Sequence, residues 1–347
     1  MKLVLNKLVY YINREKAKKK IILENSLNLV PGEYIFSSNR KYVYLNDKKI
    51  EEKSKWLLEN DPLHNEGKAI LKILNFLINK NFEIKKEKCD FRGSIYFFSA
   101  NHERDRIFDV DNLKVKIIFK NSEEIEKYVE IYNKFVPFFN QPLLLSFDLQ
   151  TITEELVLFD DNWSLNSGII TQIIDDFIKY YKNVENQDIA RIKLMNLFKK
   201  LKKDEELDFF KENINHNLLC NEVKTIDGHG DLRKNNILYN SENNKIYYID
   251  WEFSGKYSLN YDLFFLMYHE ATYNNNYFLI NKYVNGDFDE KFSSIYNMFD
   301  ENFDQSLRKH YLVAFMLEHY LKKANCNLKM IQRYRNILEK IYGGNHK

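Results

Sequence analysis

Hydrophobic and polar residues alternate in short blocks over the first 60 residues of the 347-residue chain. Apolar runs at 8–12, 21–23, 34–36 and 42–45 are separated by polar turns, a pattern typical of short strands. The segment 66–80 instead places apolar residues at helical spacing opposite lysines and predicts an amphipathic helix. The beginning of the chain is therefore predicted to contain several strands followed by a helix.

A second strand-rich stretch begins at residue 93. Alternating segments at 93–99, 106–110 and 113–119 predict three antiparallel strands, and 122–135 predicts a helix. The apolar segment 155–159 predicts one more strand.

Helical patterns dominate the remainder of the chain. Asn166 or Ser167 is placed to cap a helix that has one continuous apolar face. A further apolar stripe lies on a helix between Leu307 and His319. No proline follows Pro142, so no proline interrupts these helices.

One short stretch within this helical part concentrates polar residues. It contains His229, Asp231 and Asn236, then a hairpin with a polar turn at 240–245, and it reaches Asp250 at the end of the second strand. Asp231 and Asn236 are close enough in sequence for one loop to aim both side chains into the same cleft. The hairpin is predicted to fold Asp250 back beside Asn236.

These residue types meet the requirements of phosphoryl transfer. A carboxylate such as Asp231 can orient an acceptor hydroxyl and take its proton, and a positioned general base contributes on the order of 10² to 10⁴ in rate. The amide oxygen of Asn236 and the carboxylate of Asp250 are hard oxygen ligands of the kind that Mg²⁺ prefers. The alternative is an ordinary surface hairpin rich in Asp and Asn. The occurrence of these residues together and in this order argues against that alternative.

The same stretch resembles the aminoglycoside phosphotransferase and choline kinase family, whose members have a protein-kinase-like fold. The resemblance rests on His-Gly-Asp at 229–231, on Asn236 and on Ile-Asp-Trp-Glu at 249–252. It implies that Asp231 is catalytic and that Asn236 and Asp250 bind the metal. It also implies that Asp262, in a later Tyr-Asp-Leu element, braces the catalytic loop and that His229 gives structural support.

The resemblance further implies a two-lobed α+β fold, with an N-terminal antiparallel-sheet lobe and a mostly helical C-terminal lobe. The expected domains are an N-terminal extension at 1–62, a small nucleotide-binding lobe at 63–160 and a large catalytic and acceptor-binding lobe at 161–347. Residues 1–62 match no motif, so they are either an elaboration of the small lobe or a separate mini-domain. The implied cofactors are Mg²⁺ and ATP, with GTP as an alternative.

A kinase-like small lobe needs a lysine on its third strand to hold the α and β phosphates and an acidic partner on the next helix. Lys116 with Glu130 suits this spacing, and Lys120 with Glu126 is the alternative. Both lysines share the same strand parity. Lys116 is preferred because Lys120 lies where the strand runs into a polar turn, although either lysine could equally be a solvated strand edge.

The loop expected to cover the phosphates departs from the kinase pattern, since no glycine lies between residues 93 and 168. Ser99, Asn101 or backbone amides are the candidates for contacting phosphate, with Arg104 and Arg106 adding positive charge. The alternative is a plain polar hairpin with two exposed arginines. The missing glycines also leave open a catalytically degenerate, kinase-like binding or structural protein, analogous to kinase-like spore-coat proteins.

The phosphoryl acceptor is expected to bind among the C-terminal helices. Its candidate contacts are polar and aromatic residues near the metal ligands: Arg233, Glu252, Tyr268, His269 and Glu270. A choline-type acceptor would use a cage of Trp251, Tyr261 and Tyr268 with Glu252, because aromatic faces attract cations. Trp251 is expected to be a core residue, which favours a sugar, an aminoglycoside or a cell-envelope glycan precursor instead.

Composition excludes several other classes of protein. The 52 basic and 50 acidic residues are dispersed and leave a net charge of +2, so neither a nucleic-acid groove nor binding to an anionic membrane is indicated. No apolar run approaches membrane-spanning length, and the three cysteines form no pair motif. The sequence therefore predicts a cytoplasmic protein whose partners are a nucleotide and a small molecule, and it gives no indication of oligomeric state.

Overall fold

The computed structural model describes residues 2–37, 40–55, 81–85, 91–99, 102–160, 163–184, 188–322 and 328–343, with the backbone alone for 2–11. The chain divides into two compact units, Met1–Glu130 with Pro142–Asp161, and Ile131–Gln141 with Asn162–Lys347. The helix predicted at 66–80 and the candidate phosphate contact Asn101 lie outside the described residues.

The first unit is built on an antiparallel sheet. Its described strands are β1 Gly32–Phe36, β2 Tyr42–Leu45, β3 Asn81–Ile84, β4 Ile95–Phe97, β5 Arg104–Asp109, β6 Lys114–Phe119, β7 Leu144–Phe147 and β8 Thr151–Glu155. They are arranged in the order β3-β1-β2-β4-β5-β6-β8-β7. Strands β1 and β2 therefore share one sheet with β4, β5 and β6.

Helices pack on both faces of this sheet. The described helices of the unit are α1 Lys2–Glu24, α2 Lys48–Lys53 and α3 Ser122–Phe135, whose last turn belongs to the second unit. On one face, Ile125 of α3 packs with Val115 and Ile117 of β6. On the other face, Ile22 of α1 packs in a cluster that includes Ile107 of β5. Each face thus has its own hydrophobic core.

Helix α1 corrects the strands predicted at 8–12 and 21–23. The buried positions Glu15, Lys18 and Ile22 recur at helical spacing, but two of them carry charges. The sequence therefore shows short apolar runs in place of a helical stripe. The strands predicted at 34–36 and 42–45 are confirmed by β1 and β2.

The strand predicted at 155–159 is displaced toward the N-terminus. Strand β8 ends at Glu155, and residues 156–160 adopt no regular structure. The residues from Thr151 to Glu154, just before the predicted strand, pair with β6 in the sheet.

The second unit is mostly helical. Its described helices are α4 Ser167–Tyr181, α5 Leu194–Phe198, α6 Asp204–Asn213, α7 His216–Cys220, α8 Tyr261–Tyr273, α9 Phe278–Val284, α10 Asp289–Asn297, α11 Arg308–Lys322 and α12 Leu328–Tyr342. Its short strands are β9 Ala190–Lys193, β10 Glu222–Gly228, β11 Ile237–Asn240, β12 Lys245–Tyr248 and β13 Gly255–Ser258. They form a β13-β10-β9 sheet and a β11-β12 hairpin.

Local sequence signals account for the elements around the candidate site. The Asn166 side chain accepts a hydrogen bond from the backbone N–H of Ile169 (3.0 Å) and caps α4, as predicted. The β11-β12 turn is closed by Asn240, whose side chain accepts from the backbone N–H of Glu242 (3.0 Å). The two-unit α+β architecture, with one antiparallel-sheet unit and one mostly helical unit, is confirmed. Within the described part of the chain, no helix combines the length and apolarity needed to cross a membrane.

Candidate active site

The loop between β10 and β11 is held by a carboxylate from α8. The buried Asp262 accepts hydrogen bonds from the backbone N–H groups of His229 (2.7 Å) and Gly230 (2.8 Å). Gly228 allows this approach, because a Cβ atom at that position would lie 2.6 Å from Asp262 Oδ2. Gly230 has φ +77°, a conformation that favours glycine. Asp262 thus makes the contacts expected of a brace for this loop.

His229 is buried and its hydrogen bonds fix one neutral tautomer. Its Nε2 lies 2.9 Å from the carbonyl oxygen of Ile249, which can only accept, so Nε2 carries the hydrogen. Its Nδ1 then accepts from the backbone N–H of Asp231 (3.4 Å). Burial lowers the pKa of His229 to about 4, so the imidazole is neutral near pH 7. His229 therefore supports the backbone on both sides and is not placed as a proton donor to a substrate.

Asp231 and Asn236 are in direct contact. The Asn236 side-chain N–H₂ donates to the backbone carbonyl of Asp231 (2.9 Å) and to Asp231 Oδ2 (3.2 Å). Arg233 forms an ion pair with the same carboxylate, with Nε 3.2 Å from Oδ2. These contacts fix the orientation of the Asp231 carboxylate, and the amide geometry directs Asn236 Oδ1 to the opposite side of its side chain.

The hairpin brings Asp250 to this loop through the preceding residue. The backbone N–H of Ile249 donates to the carbonyl of Asn236 (3.0 Å), while the carbonyl of Ile249 accepts from His229. Asp250 itself is half-buried and has a left-handed backbone, with φ 66° and ψ 51°, which Asp tolerates better than most residues. Its charge also acts on the His229 ring and opposes the fall in the His229 pKa. Asp231, Asn236 and Asp250 thus belong to one connected set.

The oxygen donors of this set suit a hard divalent cation. Asn236 contributes an amide oxygen and Asp250 a carboxylate, and Mg²⁺ is usually bound by one or two carboxylates together with substrate phosphates and water. Among the described residues, no group of three or more His, Cys, Asp or Glu side chains is arranged to hold a metal. Asn236 and Asp250 alone do not form an all-protein metal cage, so an ion held by them would take most of its ligands from other molecules.

Two of the five residues predicted to bind the acceptor are core residues. Tyr268 and Glu270 are each only 2% exposed. The Glu270 carboxylate accepts hydrogen bonds from the side chains of Asn274 (2.6 Å) and Asn276 (3.3 Å). The structure therefore gives Tyr268 a packing role and Glu270 a role in closing the end of α8.

The remaining acceptor candidates are more accessible. Arg233, Glu252 and His269 are half-buried, and the His269 ring stacks on Tyr273 at 4.6 Å. The aromatic residues of the predicted choline cage are not accessible: Trp251 is 6% exposed and Tyr261 is 3% exposed. Trp251 stacks on Phe135 at 4.3 Å within the core. Arg233, Glu252 and His269 are therefore partly accessible, whereas the rings of the predicted cage are buried.

Lys116 and Glu130 lie on opposite sides of the sheet. The Lys116 ammonium donates to the side chain of Asn28 (2.8 Å) and lies 4.9 Å from the centre of the Phe91 ring. Glu130 is an exposed residue of α3, which packs on the other face of the sheet through Ile125. These contacts do not bring the predicted pair together. The alternatives Lys120 and Glu126 are both exposed.

The turn between β4 and β5 is organised by a buried carboxylate. Asp105 accepts hydrogen bonds from the hydroxyl of Tyr96 (2.9 Å) and from both the backbone N–H (2.9 Å) and the hydroxyl (3.1 Å) of Ser99. The two donors predicted to contact phosphate at Ser99 are thus engaged within the turn. Arg104 and Arg106 lie over the rings of Phe119 and Phe97 on the face that α3 covers.

Sequence reasoning assigned no role to three residues that shape the site, although one of them, Gly230, lies within the His-Gly-Asp motif at 229–231. Gly228 and Gly230 flank His229 at the end of a strand, and glycine there is a recognised signal of close backbone approach. The third residue, Tyr257 of β13, packs over Gly230. No sequence signal identifies it, because its contact depends on the pairing of β13 with β10.

No protein-family model and no curated protein sequence matches the chain. Solved structures that are similar to it include a choline/ethanolamine kinase family protein from Mesorhizobium loti, with a TM-score of 0.42 and 13% identity over 73% of this chain and 88% of that one. Choline kinase LicA from Streptococcus pneumoniae has a TM-score of 0.40 and 13% identity over 71% and 91% of the two chains. The ADP-bound aminoglycoside phosphotransferase APH(2'')-Ib has a TM-score of 0.42 and 12% identity over 71% and 93%. These structural neighbours are choline kinases and aminoglycoside phosphotransferases.

Proposed function

We propose that this chain is a phosphotransferase that moves the γ-phosphoryl group of ATP to a hydroxyl group of a small molecule, with Mg²⁺ as cofactor. The observation that carries the proposal is the hydrogen-bonded set of Asp231, Asn236 and the segment that ends in Asp250. It supplies one candidate base and two hard oxygen ligands within a single loop and hairpin. A surface hairpin without a phosphate to bind has no physical need for this combination.

The proposed step uses Asp231 as the general base. Its carboxylate orients the acceptor O–H and takes the proton as the oxygen bonds to the γ-phosphorus, while the bond from that phosphorus to the bridging oxygen breaks and ADP leaves. The Asn236 amide and the Arg233 guanidinium hold the carboxylate in position. Asn236 Oδ1 and Asp250 would hold Mg²⁺, which when bound neutralises charge on the phosphate oxygens.

A sugar-like acceptor is favoured over choline. Trp251, Tyr261 and Tyr268 are packed in the core, so they cannot surround a quaternary ammonium without unfolding part of that core. Arg233, Glu252 and His269 remain as polar groups for hydroxyl-rich acceptors such as a hexose, an aminoglycoside or a glycan precursor. Both ATP and GTP are candidate donors.

The test is release of ADP or GDP by purified protein supplied with Mg²⁺, either nucleotide, and a panel of sugars, aminoglycosides and choline. We expect the Asp231→Asn variant to lose turnover by about 10² to 10⁴, because it removes the proton acceptor and keeps the volume of the side chain. Its thermal unfolding should remain close to that of the unmodified protein.

Asp289→Asn is the matched control for this experiment. Asp289 also forms an ion pair with an arginine, Arg308, but it lies on α10, which contributes no residue to the β10-β11 loop or to the β11-β12 hairpin. Its substitution should leave turnover per folded molecule unchanged. Full activity of Asp231→Asn, or no acceptor-dependent turnover of the unmodified protein, would exclude the proposed mechanism.

A catalytically degenerate, kinase-like binding protein is the second candidate. It is favoured by the sheet unit, where the Lys116 ammonium contacts Asn28 and both Ser99 donors are engaged by Asp105. Binding of nucleotide without turnover across the acceptor panel would support this candidate.

A further inference from the structure

The side chain of Tyr257 closes over the loop that leads to Asp231. Its hydroxyl donates a hydrogen bond to the backbone carbonyl of Phe253 (2.7 Å). A methyl group placed on Gly230 would overlap both this hydroxyl and the Phe253 carbonyl. The two oxygen atoms therefore lie against the Cα atom of the residue that precedes Asp231.

This position links the two halves of the candidate site. Gly230 belongs to the loop that carries Asp231 and Asn236, whereas Phe253 belongs to the short 3₁₀ turn Trp251–Phe253, which directly follows Asp250. The Tyr257 hydroxyl is bonded to the second segment and packed against the first. It thereby restrains Gly230 at a positive φ in the place from which Asp231 projects.

The Tyr257 ring contacts Lys322, which begins a chain of polar contacts that leads back to β13. The Lys322 ammonium lies 3.4 Å from the ring centre, and Lys322 forms an ion pair with the buried Glu318 (3.1 Å). Glu318 also accepts a hydrogen bond from the Ser258 hydroxyl (2.5 Å), next to Tyr257 on β13. Burial, together with the charge of nearby carboxylates, raises the pKa of Tyr257, so its hydroxyl remains protonated and can donate.

We propose that Tyr257 is a positioning residue that fixes Asp231 relative to Asp250. The inference rests on the proposed phosphotransferase function, and it assigns to β13 a role in aligning the base with the metal-binding side of the site. Tyr257 acts through the backbone of Gly230 and Phe253 and contacts no reacting atom. Its removal should therefore lower the rate of the chemical step more than the affinity for either substrate.

The test is the Tyr257→Phe variant, which removes one oxygen atom and keeps the ring that contacts Lys322. We expect kcat to fall by about tenfold, while KM for nucleotide and for acceptor changes by less than about twofold. Amide hydrogen exchange in the ligand-free protein should become faster in the segments 229–233 and 251–254, because the link between them is lost.

Tyr283→Phe is the matched control. The Tyr283 hydroxyl donates a bond of similar length to a backbone carbonyl, that of Arg308 (3.0 Å), and it joins α9 to α11. This variant should keep kcat and leave exchange in 229–233 unchanged. An equal loss of kcat in both variants would point to a general loss of stability and would overturn the proposal.

The exchange measurement separates this inference from the proposed function. If Tyr257→Phe keeps kcat within about twofold and leaves exchange unchanged, Tyr257 is not a positioning residue. If the unmodified protein has no turnover with any acceptor, the proposed function fails. The structural link is then tested by exchange alone, and it is overturned if Tyr257→Phe leaves amide exchange in 229–233 unchanged. Faster exchange in that case would retain the link between the two segments without a catalytic role.

Discussion

Two buried titratable side chains, His229 and Asp262, support the same loop with opposite shifts in pKa. Burial raises the pKa of Asp262 to about 6, although its two backbone N–H donors oppose that rise. Burial lowers the pKa of His229 to about 4. Near neutral pH the loop is therefore held by an ionised carboxylate and a neutral imidazole, the forms required by the observed hydrogen bonds.

These shifts affect stability with opposite signs between about pH 4 and pH 6.5. The folded protein binds a proton at Asp262 more tightly than the unfolded chain. The contribution of Asp262 to the free energy of unfolding is therefore present below about pH 4 and is lost as the pH rises through about 6. The unfolded chain binds a proton at His229 more tightly than the folded protein. That contribution is present above about pH 6.5 and is lost as the pH falls through about 4.

The Asp262→Asn variant should expose the Asp262 contribution. We expect the difference in free energy of unfolding, unmodified protein minus variant, to fall by about 2 kcal/mol from pH 4 to pH 6.5, because most of the effect of a shift of about two pKa units develops within this range. Urea unfolding at several pH values in this range measures the difference. A difference that is constant or that rises with pH would contradict the assigned shift.

At the scale of elements, the sequence correctly predicted the helices and strands whose buried face is apolar. Helix α4 begins after its Asn166 cap and has an unbroken apolar face. The β11-β12 hairpin consists of two apolar runs joined by an Asn-rich turn. Helix α1 was missed because Glu15 and Lys18 occupy buried positions on it. Periodicity of apolar residues cannot reveal a helix face whose charges are neutralised by partners distant in sequence.

The distant partner of the buried charges on α1 is Arg40, which is 1% exposed and precedes β2. Its Nε lies 2.8 Å from Glu15 Oε2, while Lys18 lies 3.3 Å from Glu15 Oε1 and donates to the Arg40 carbonyl (2.6 Å). Glu15 thus neutralises two buried cations. Removing one partner of a buried ion pair is strongly destabilising, because the remaining charge loses its compensation.

We therefore expect Glu15→Gln to lower the free energy of unfolding by about 3 to 5 kcal/mol. Glu24→Gln on the same helix is the control, since Glu24 and its partner Lys20 are both exposed. That change should remain within about 0.5 kcal/mol. Chemical denaturation measures both values, and equal effects of the two substitutions would contradict the role assigned to Glu15.

At the scale of the whole molecule, sequence reasoning reached the two-unit α+β architecture and the loop and hairpin of the candidate site. It did not reach the environment of Lys116, whose partner Asn28 is separated from it by 88 residues. Strand parity shows that Lys116 and Lys120 share a face, but it does not show which face α3 covers. That choice follows from the packing of Val115, Ile117 and Ile125, a tertiary contact with no local signature.

Ligand binding should stabilise the folded chain as a whole if the site binds a nucleotide and Mg²⁺. At about 100 times its dissociation constant, a ligand that binds only the folded state adds about 2.7 kcal/mol to the free energy of unfolding. We expect this stabilisation with Mg²⁺ and a non-hydrolysable ATP analogue together. Asp250→Ala should reduce the part that depends on Mg²⁺, because one of the two proposed oxygen ligands is lost.

Glu242→Ala tests whether that effect belongs to the metal site or only to the charge of the hairpin. Glu242 is an exposed acidic residue in the turn between β11 and β12, so its removal changes the net charge as Asp250→Ala does. It should leave the Mg²⁺-dependent stabilisation intact. The proposed metal site would be excluded if chelating Mg²⁺ had no effect on the stabilisation by nucleotide, or if both variants lost it equally. In the second case nucleotide binding would depend on the net charge of the hairpin, and Asp250 would have no specific role as a ligand.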